Sequence, residues 1–328
     1  MSEPSLEKLF TLATAFWTSR SLHAIAELGV ADALGEQPQT VEQLARISGA
    51  NPVALDRVLR LLAAHGIFEA RGSAWAHTAA SRLLRDDHPH SMRAFLRLMG
   101  LPFVWQSWGE LGHSLRTGEP AVTRLDPDGP FSYLAKNPEQ SRIFDAGMSA
   151  KAQRDIPAVL EAYDFSHFKR IADIGGGRGH LLQAILQEAP AATGILFDQP
   201  HVIAQAPKAE PRQQCQAGDS FRDSMPAADA YLLMDILHDW SDADAARILA
   251  GIRRAAASKA VVLVIETVIP DTPGVHLAKA LDINMLVMTG GRERTQREHE
   301  QLLAGADFRL ERVIPTASPY SLVEARAL

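Results

Sequence analysis

The glycine run Gly175-Gly176-Gly177-Arg178-Gly179 is the first stretch whose residue types suit chemistry. Consecutive glycines let a chain turn sharply and let a ligand approach without a Cβ in the way. The run follows an apolar segment at 171–174 and precedes a helical pattern at 181–187. That order predicts a loop at the carboxyl end of a strand, where open α/β sheets bind ligands. A dinucleotide fingerprint would space its glycines as G-x-G-x-x-G, which differs from the spacing here. A tight turn alone would also use glycine. Two further strand ends carry acids. In Leu196-Phe197-Asp198 the carboxylate can accept from ribose hydroxyls, or it can cap the segment near His201. In Gly218-Asp219-Ser220-Phe221, Asp219 can accept from the exocyclic amine of an adenine while Phe221 lies on the ring face. An ordinary turn is the plain alternative.

His238 follows the run 228–234, again at a strand end. An unperturbed imidazole titrates near about 6.5, so it is neutral, and a base, near neutral pH. Glu266 closes the next apolar run, and Glu293 precedes a helix beginning near Thr295. A carboxylate that accepts from one imidazole nitrogen fixes its tautomer and ring orientation, which makes both glutamates candidate partners. Taken singly, a histidine is more often structural, and Glu293 between Arg292 and Arg294 reads equally as a solvated charge. Glu266 is harder to dismiss, because a carboxylate ending an apolar strand needs a partner. The His238-Asp239 spacing fits no common metal site, so no metal is expected.

The elements that must position these residues change character along the chain. Residues 6–28 and 24–34 carry apolar residues at helical spacing. Thr40 and Gln43 form a capping-box pattern, and Asn51-Pro52 opens a helix, Pro52–Ala64, stopped by His65-Gly66. Segments 67–69 and 74–77 read as a hairpin around Arg71-Gly72-Ser73, which completes a winged-helix order. Residues 90–165 are again helical, apart from a loop at 117–130. From Arg170 onward, strands at 171–174, 194–197, 228–234 and 261–265 alternate with helices, the signature of a parallel sheet. Runs at 308–314 and 320–324 have no helix between them and should pair antiparallel at one edge.

These segments, in this order, resemble the two-domain small-molecule O-methyltransferases that use S-adenosylmethionine, a family of plant caffeate- and flavonoid-type and bacterial natural-product enzymes. The resemblance spans nearly the whole chain. It rests on Asp173-Ile174-Gly175-Gly176-Gly177, Phe197-Asp198-Gln199-Pro200-His201-Val202-Ile203, Gly218-Asp219-Ser220-Phe221, Leu237-His238-Asp239-Trp240-Ser241-Asp242 and Gly290-Gly291-Arg292-Glu293-Arg294-Thr295. It implies an α/β, Rossmann-like class I methyltransferase sheet with an antiparallel edge hairpin. A mostly helical N-terminal winged-helix dimerisation domain would precede it. The implied division is 1–95 for dimerisation, 96–165 as a helical connector and 166–328 for the cofactor. Gly175 would lie on the methionine part, Gly177 would also bind the cofactor, Asp198 would hold the ribose, and Asp219, Ser220 and Phe221 would flank the adenine. Two positions depart from the family: Ser220 stands where methionine is usual, and Met234 where lysine is frequent.

The reaction implied is methylation of a hydroxyl on a small aromatic molecule. A phenol titrates near about 10 and its anion is the better nucleophile, so His238 is expected to act as base with Glu266 and Glu293 beside it. Trp105, Trp108, Phe144, Met148, Asn284, Met285 and Met288 are implied as lining for the acceptor. Core packing is the competing account of each apolar one. N-methylation, or a member that keeps the cofactor without transferring methyl, would fit the same motifs.

A winged helix also suits a DNA-binding regulator. However, Pro52–Ala64 is mostly apolar and offers little basic surface to phosphates. With 33 basic and 39 acidic residues the chain carries a net charge of −6, which gives no electrostatic reason to expect nucleic acid or an anionic membrane. A homodimer through the N-terminal domain is expected instead. A single cysteine, Cys215, and the absence of a secretory pattern or a long apolar run point to the cytoplasm.

Overall fold

The computed structural model describes residues 6–206 and 211–328. They fall into two compact units, one built from the residues up to 105 together with 134–151, the other from 106–133 and 152–328.

The first unit opens with helix Leu6–Glu27 and, after a turn at Gly29, helix Val30–Leu34. Helix Val41–Ser48 begins at the expected capping box, with Gln43 N–H donating to the Thr40 hydroxyl and the Gln43 side chain accepting from Thr40 N–H. Helix Pro52–Ala64 follows, capped by Asn51. The hairpin is Phe68–Arg71 with Ala74–His77, so Arg71 belongs to the first arm and the turn is Gly72-Ser73. A short stretch, Gln39–Thr40, adds a third strand against Ala74 and Trp75, a pairing too short to show in the sequence pattern. Leu44, Leu55, Leu59, Leu62, Phe68 and Trp75 close the core of this winged helix.

The second unit is built on one seven-stranded sheet. Its strands are β1 (Arg170–Ile174), β2 (Thr193–Asp198), β3 (Gln213–Ala217), β4 (Ala230–Met234), β5 (Val261–Glu266), β6 (Phe308–Pro315) and β7 (Ser321–Ala327). They lie in the order β6-β7-β5-β4-β1-β2-β3. The pairs among β1–β5 are parallel, and β7 runs antiparallel to both β5 and β6. β3 is an edge strand with only Gln213 buried, which is why no apolar run marks it.

Side chains alternate between two cores, as the strand period of two requires. Val262 and Val264 of β5 face a cluster with helices Asp242–Ala255 and Gln296–Ala304. Val261, Leu263 and Ile265 face another with helix His180–Glu188 and the end of helix Pro138–Ala162. Both faces of the sheet are therefore covered, which explains why its central strands are apolar throughout. The strand order reverses between β1 and β4. The loops leaving their carboxyl ends start at Gly175 and Asp235, at the switch point where open α/β sheets take ligands.

Phe308 anchors the edge pair in the first of these cores, fully enclosed. Phe308→Ala should lower the unfolding free energy by about 3–5 kcal/mol, the cost of emptying a large buried aromatic site, measured as a shifted midpoint in urea.

Candidate active site

The glycine loop is made by close approach. Gly175 adopts a positive φ of 69°, and a Cβ there would sit 2.5 Å from the Ile236 side chain. The loop after β1 thus packs directly on the loop after β4. A Cβ on Gly176 would fall 2.3 Å from the Asp173 carboxylate. Gly177 also has a positive φ, with open space where a side chain would be. Its N–H donates to Asp198 Oδ2 at 2.8 Å, while Asp198 Oδ1 accepts from Gln199 N–H. Asp198 therefore shapes the loop as well as facing it. Burial pushes its carboxyl up, against the pull of those two amides.

Asp173 lies beneath the loop, 1% exposed, and among the described residues neither carboxylate oxygen has a partner at full hydrogen-bond geometry, the Leu182 main-chain amide adding only a weaker downward pull. Burial, followed by the Asp198 charge, pushes it up to about 7. A buried unpaired carboxylate is costly unless something polar or cationic meets it. Beside a side-chain-free cradle, it suits an amino-acid ammonium. Beyond β3, Asp219 Oδ1 accepts from Phe221 N–H and its other oxygen is 3.5 Å from Arg222, so part of this carboxylate serves its own turn. Phe221 is fixed edge-on to Trp240, with Arg247 over its ring. Ser220 lies half-buried in the same turn. Glycine loop, two strand-end carboxylates and a braced aromatic ring fit an adenosine linked to an amino acid.

His238 is 7% exposed in a short 3-10 turn after β4. Its Nδ1 is 2.9 Å from Glu293 Oε1, and its Nε2 has Asp235 Oδ1 at 3.7 Å and Asp239 Oδ1 at 3.8 Å. Glu293 is 1% exposed, so it is no solvated surface charge. Glu266 also lies beside the histidine, but on its main chain. Its Oε1 accepts from the main-chain N–H groups of Ile236 and His238, at 3.2 and 3.0 Å, and among the described hydrogen bonds none joins it to the imidazole. A strand-end carboxylate beside a tight turn meets the free amides of that turn first.

The remaining grip on the His238 turn comes from residues the motifs had concealed. Arg294, fully buried, donates to the carbonyls of Leu237 and Trp240 and pairs with Asp242. Arg292 N–H donates to the carbonyl of His238, and Asp282 accepts from Glu293 N–H. An arginine beside a glutamate reads as surface charge in the sequence, and only its burial distinguishes it.

The electrostatics of the cluster shift its protonation. Burial pulls His238 down, but the Glu293 hydrogen bond and the charges of Asp239, Asp235 and Glu266 outweigh it, raising the imidazole to about 10 rather than the ordinary value assumed from sequence. Burial, reinforced by Glu293 and opposed by His238, pushes Glu266 up to about 7.

Of the expected acceptor-lining residues, Trp108 and Asn284 meet, the indole N–H donating to Asn284 Oδ1 at 3.1 Å. Met285 and Met288 are buried on the same helix, Leu277–Met288. Trp105, Phe144 and Met148 belong to the first unit. There Trp105 gives its N–H to the Met99 carbonyl and packs by Arg20 and His23. Among the described residues no group of three metal-ligating side chains occurs, and no helix is long and apolar enough to cross a membrane.

A Cβ on Gly291 would lie 2.0 Å from the His238 carbonyl oxygen. Gly291→Ala should lower the unfolding free energy by roughly 1–3 kcal/mol, the cost of overpacking. Gly109→Ala, at a helix end with open space around it, should stay within about 0.5 kcal/mol. Denaturant titration of both variants checks the contrast.

Residues 108–309 match the family described as O-methyltransferase domain, and residues 10–87 the O-methyltransferase dimerisation domain. A phenazine O-methyltransferase of Lysobacter antibioticus is 40% identical, covering 98% of this chain and 96% of its own. The O-demethylpuromycin O-methyltransferase of Streptomyces alboniger is 37% identical, covering 97% and 88%. A solved O-methyltransferase from neocarzinostatin biosynthesis, in complex with S-adenosylmethionine and 2-hydroxy-5-methyl naphthoic acid, superimposes with a TM-score of 0.80 at 33% identity over 95% and 96% of the two chains. With a class I sheet behind a mostly helical N-terminal region, the chain belongs to the S-adenosylmethionine-dependent O-methyltransferase family of the natural-product type.

Proposed function

We propose that this O-methyltransferase methylates a hydroxyl on a small aromatic acceptor, with His238 as the general base. The observation that carries the reading is the Nδ1 contact to Glu293 at 2.9 Å, which leaves Nε2 as the ring nitrogen for the acceptor. S-adenosylmethionine, when bound, supplies an electrophilic methyl group on a sulfonium. Asp198 would hold its ribose, Asp219, Ser220 and Phe221 its adenine, and Gly175 and Gly177 its amino-acid end, with Asp173 beneath them.

The acceptor hydroxyl gives its proton to His238 Nε2. Glu293 holds the ring and stabilises the imidazolium that forms. A base raised to about 10 matches a phenol of about 10, so the proton moves with little cost either way. Glu266 and Arg294 act by fixing the turn that carries the base. Trp108, Asn284, Met285 and Met288, all of the second unit, are proposed to line the acceptor site. Helix Leu6–Glu27 exposes Leu6, Leu9, Phe10, Leu12, Phe16 and Trp17, each more than half accessible. Together with the dimerisation-family match, that stripe supports a homodimer through the first unit.

Asp198→Ala should weaken S-adenosylmethionine binding by roughly 1.5–3 kcal/mol, the scale of charge-assisted hydrogen bonds. Calorimetric titration that returns unchanged affinity would remove Asp198 from the cofactor site.

His238→Ala should slow methyl transfer by about 10²–10⁴-fold while leaving cofactor affinity nearly intact. Because the base must be deprotonated and its pKa is raised, the wild-type rate should climb with pH through neutrality toward about 10. Glu293→Gln removes an upward pull, so its limb should move to lower pH with a lower plateau. His238→Ala should show no such limb. A His238→Ala enzyme with full activity across this range would exclude the base assignment.

A further inference from the structure

Glu293 orients the His238 ring, so whatever fixes Glu293 fixes the ring. The chain leaves helix Leu277–Met288 at Thr289, turns through Gly290 at a φ of 77°, and doubles back. Glu293 N–H then donates to Asp282 Oδ1 at 3.1 Å, more than one helical turn before the helix ends. The other ties of this segment run elsewhere. Arg292 N–H reaches the His238 carbonyl, Arg294 reaches the carbonyls of Leu237 and Trp240, and Thr295 caps the next helix with Glu298. Among the described hydrogen bonds, only the one to Asp282 joins Glu293 to the helix it has just left.

The helix itself is held. His276 caps its start by accepting from Ala278 N–H, the Lys279 ammonium donates to the carbonyls of Thr272 and Gly274, and Asn284 accepts from the Trp108 indole. The helix also bears Asn284, Met285 and Met288, three of the residues proposed to line the acceptor site. Asp282 is half-buried on it, at an unfavourable place for an acid. Burial pushes its carboxyl up, and the Glu293 and Glu298 charges add to that push, while the Glu293 amide and the Arg292 charge oppose it. A neutral side chain would avoid this cost, so the bond to the amide is what the carboxylate supplies. Such a charge-assisted bond is stronger than a neutral one. Glu293 is 1% exposed, so without Asp282 its amide would be left buried and unsatisfied.

We propose that Asp282 is a positioning residue: by pinning Glu293 N–H to the acceptor-lining helix, it holds the Glu293 carboxylate on His238 Nδ1. For catalysis the inference rests on the reading of His238 as base. Asp282 touches neither the acceptor nor the methyl group. Burial pulls the imidazole down, while Glu293, then Asp239, Asp235 and Glu266, pull it up. Once the pin is lost the Nδ1 bond lengthens, the proton is held less tightly, and His238 titrates at lower pH.

The test is a heteronuclear NMR titration of the imidazoles across the neutral and alkaline range, with S-adenosylhomocysteine present. The His238 signal is identified by its loss in His238→Ala. Asp282→Ala should lower the His238 titration by about half a unit or more, part of what a charge-assisted bond contributes. Asp282→Asn keeps an accepting oxygen in place and should restore most of the difference. Lys279→Met loosens the same helix without touching Glu293 and should leave the titration where it is. In a Glu293→Gln background, Asp282→Ala should add almost nothing, because both act through one bond. Asp282→Leu, which keeps bulk and helix propensity, carries the same expectation where the alanine variant does not fold. An unchanged titration in Asp282→Ala, an equal shift in Lys279→Met, or an Asp282→Asn displaced as far as Asp282→Ala overturns the proposal. Failure of both Asp282→Ala and Asp282→Leu to fold also overturns it, by making the residue structural. The two ideas fail separately. A shifted titration together with full activity in His238→Ala leaves the pin standing and sinks the base. An unshifted titration with an inactive His238→Ala does the reverse.

Discussion

The structure depends on one buried turn, Leu237–Asp239, that must hold an imidazole among carboxylates. Such a group resists burial on its own, and its neighbours must be placed within a fraction of an ångström to compensate. The turn is therefore gripped through its main chain from several directions. Glu266 takes two of its amides, Arg294 takes two carbonyls, and Arg292 N–H takes the carbonyl of His238 itself. Among the described residues only Glu293 addresses the ring at hydrogen-bond distance. Fixing the backbone first and the ring second separates two tasks. The sheet carries Glu266 and decides where the imidazole sits, while the loop before helix Gln296–Ala304 carries Glu293 and decides how it is oriented.

Glycine makes this grip possible by removing distance. Gly175 lets the loop after β1 lie on Ile236, and Gly291 lets the 290–294 segment lie on the His238 carbonyl. Both contacts are shorter than any side chain would permit, so the glycine loop, the imidazole and the carboxylate that holds it are packed together. A shift at any of the three positions is transmitted to the others, because packed interiors do not deform freely. That linkage is what an in-line transfer requires, since the reacting atoms must be aligned before the chemistry begins.

The same region also carries electrostatic stress. Among the described residues, both oxygens of Asp173, Oε2 of Glu266 and Oε2 of Glu293 are buried without a partner at hydrogen-bond geometry. Their cost falls on folding stability, and the cores on either side of the sheet offset it with fully enclosed aliphatic and aromatic side chains. Orphaned carboxylates of this kind concentrate where a ligand is to complete them. Asp173 beneath the glycine cradle is the clearest instance. The raised imidazole is the counterpart after β4, where several negative charges hold a proton more tightly than water would.

Much of this was written in the sequence, because the relevant physics is local. The alternation of apolar runs with helical segments determined a covered parallel sheet. The capping box at Thr40 and Gln43 determined a helix start, and the last two runs, with no helix between them, determined an antiparallel edge. Glycines at the end of an apolar run, acids at successive strand ends and a histidine after β4 marked the candidate site, since strand ends converge in any such sheet. Tertiary structure alone decided the rest. Whether Glu266 meets the ring or the main chain turns on which donor lies nearer once the strand and turn are packed. Arg294 looks like a surface charge until the chain folds over it. The pKa of His238 depends on four carboxylates drawn from three separate stretches of sequence, and one of them, Asp235, accepts from Tyr320, 85 positions away. Spacing along a chain encodes turns and faces, but the field at a buried atom is a sum over everything that folding brings near.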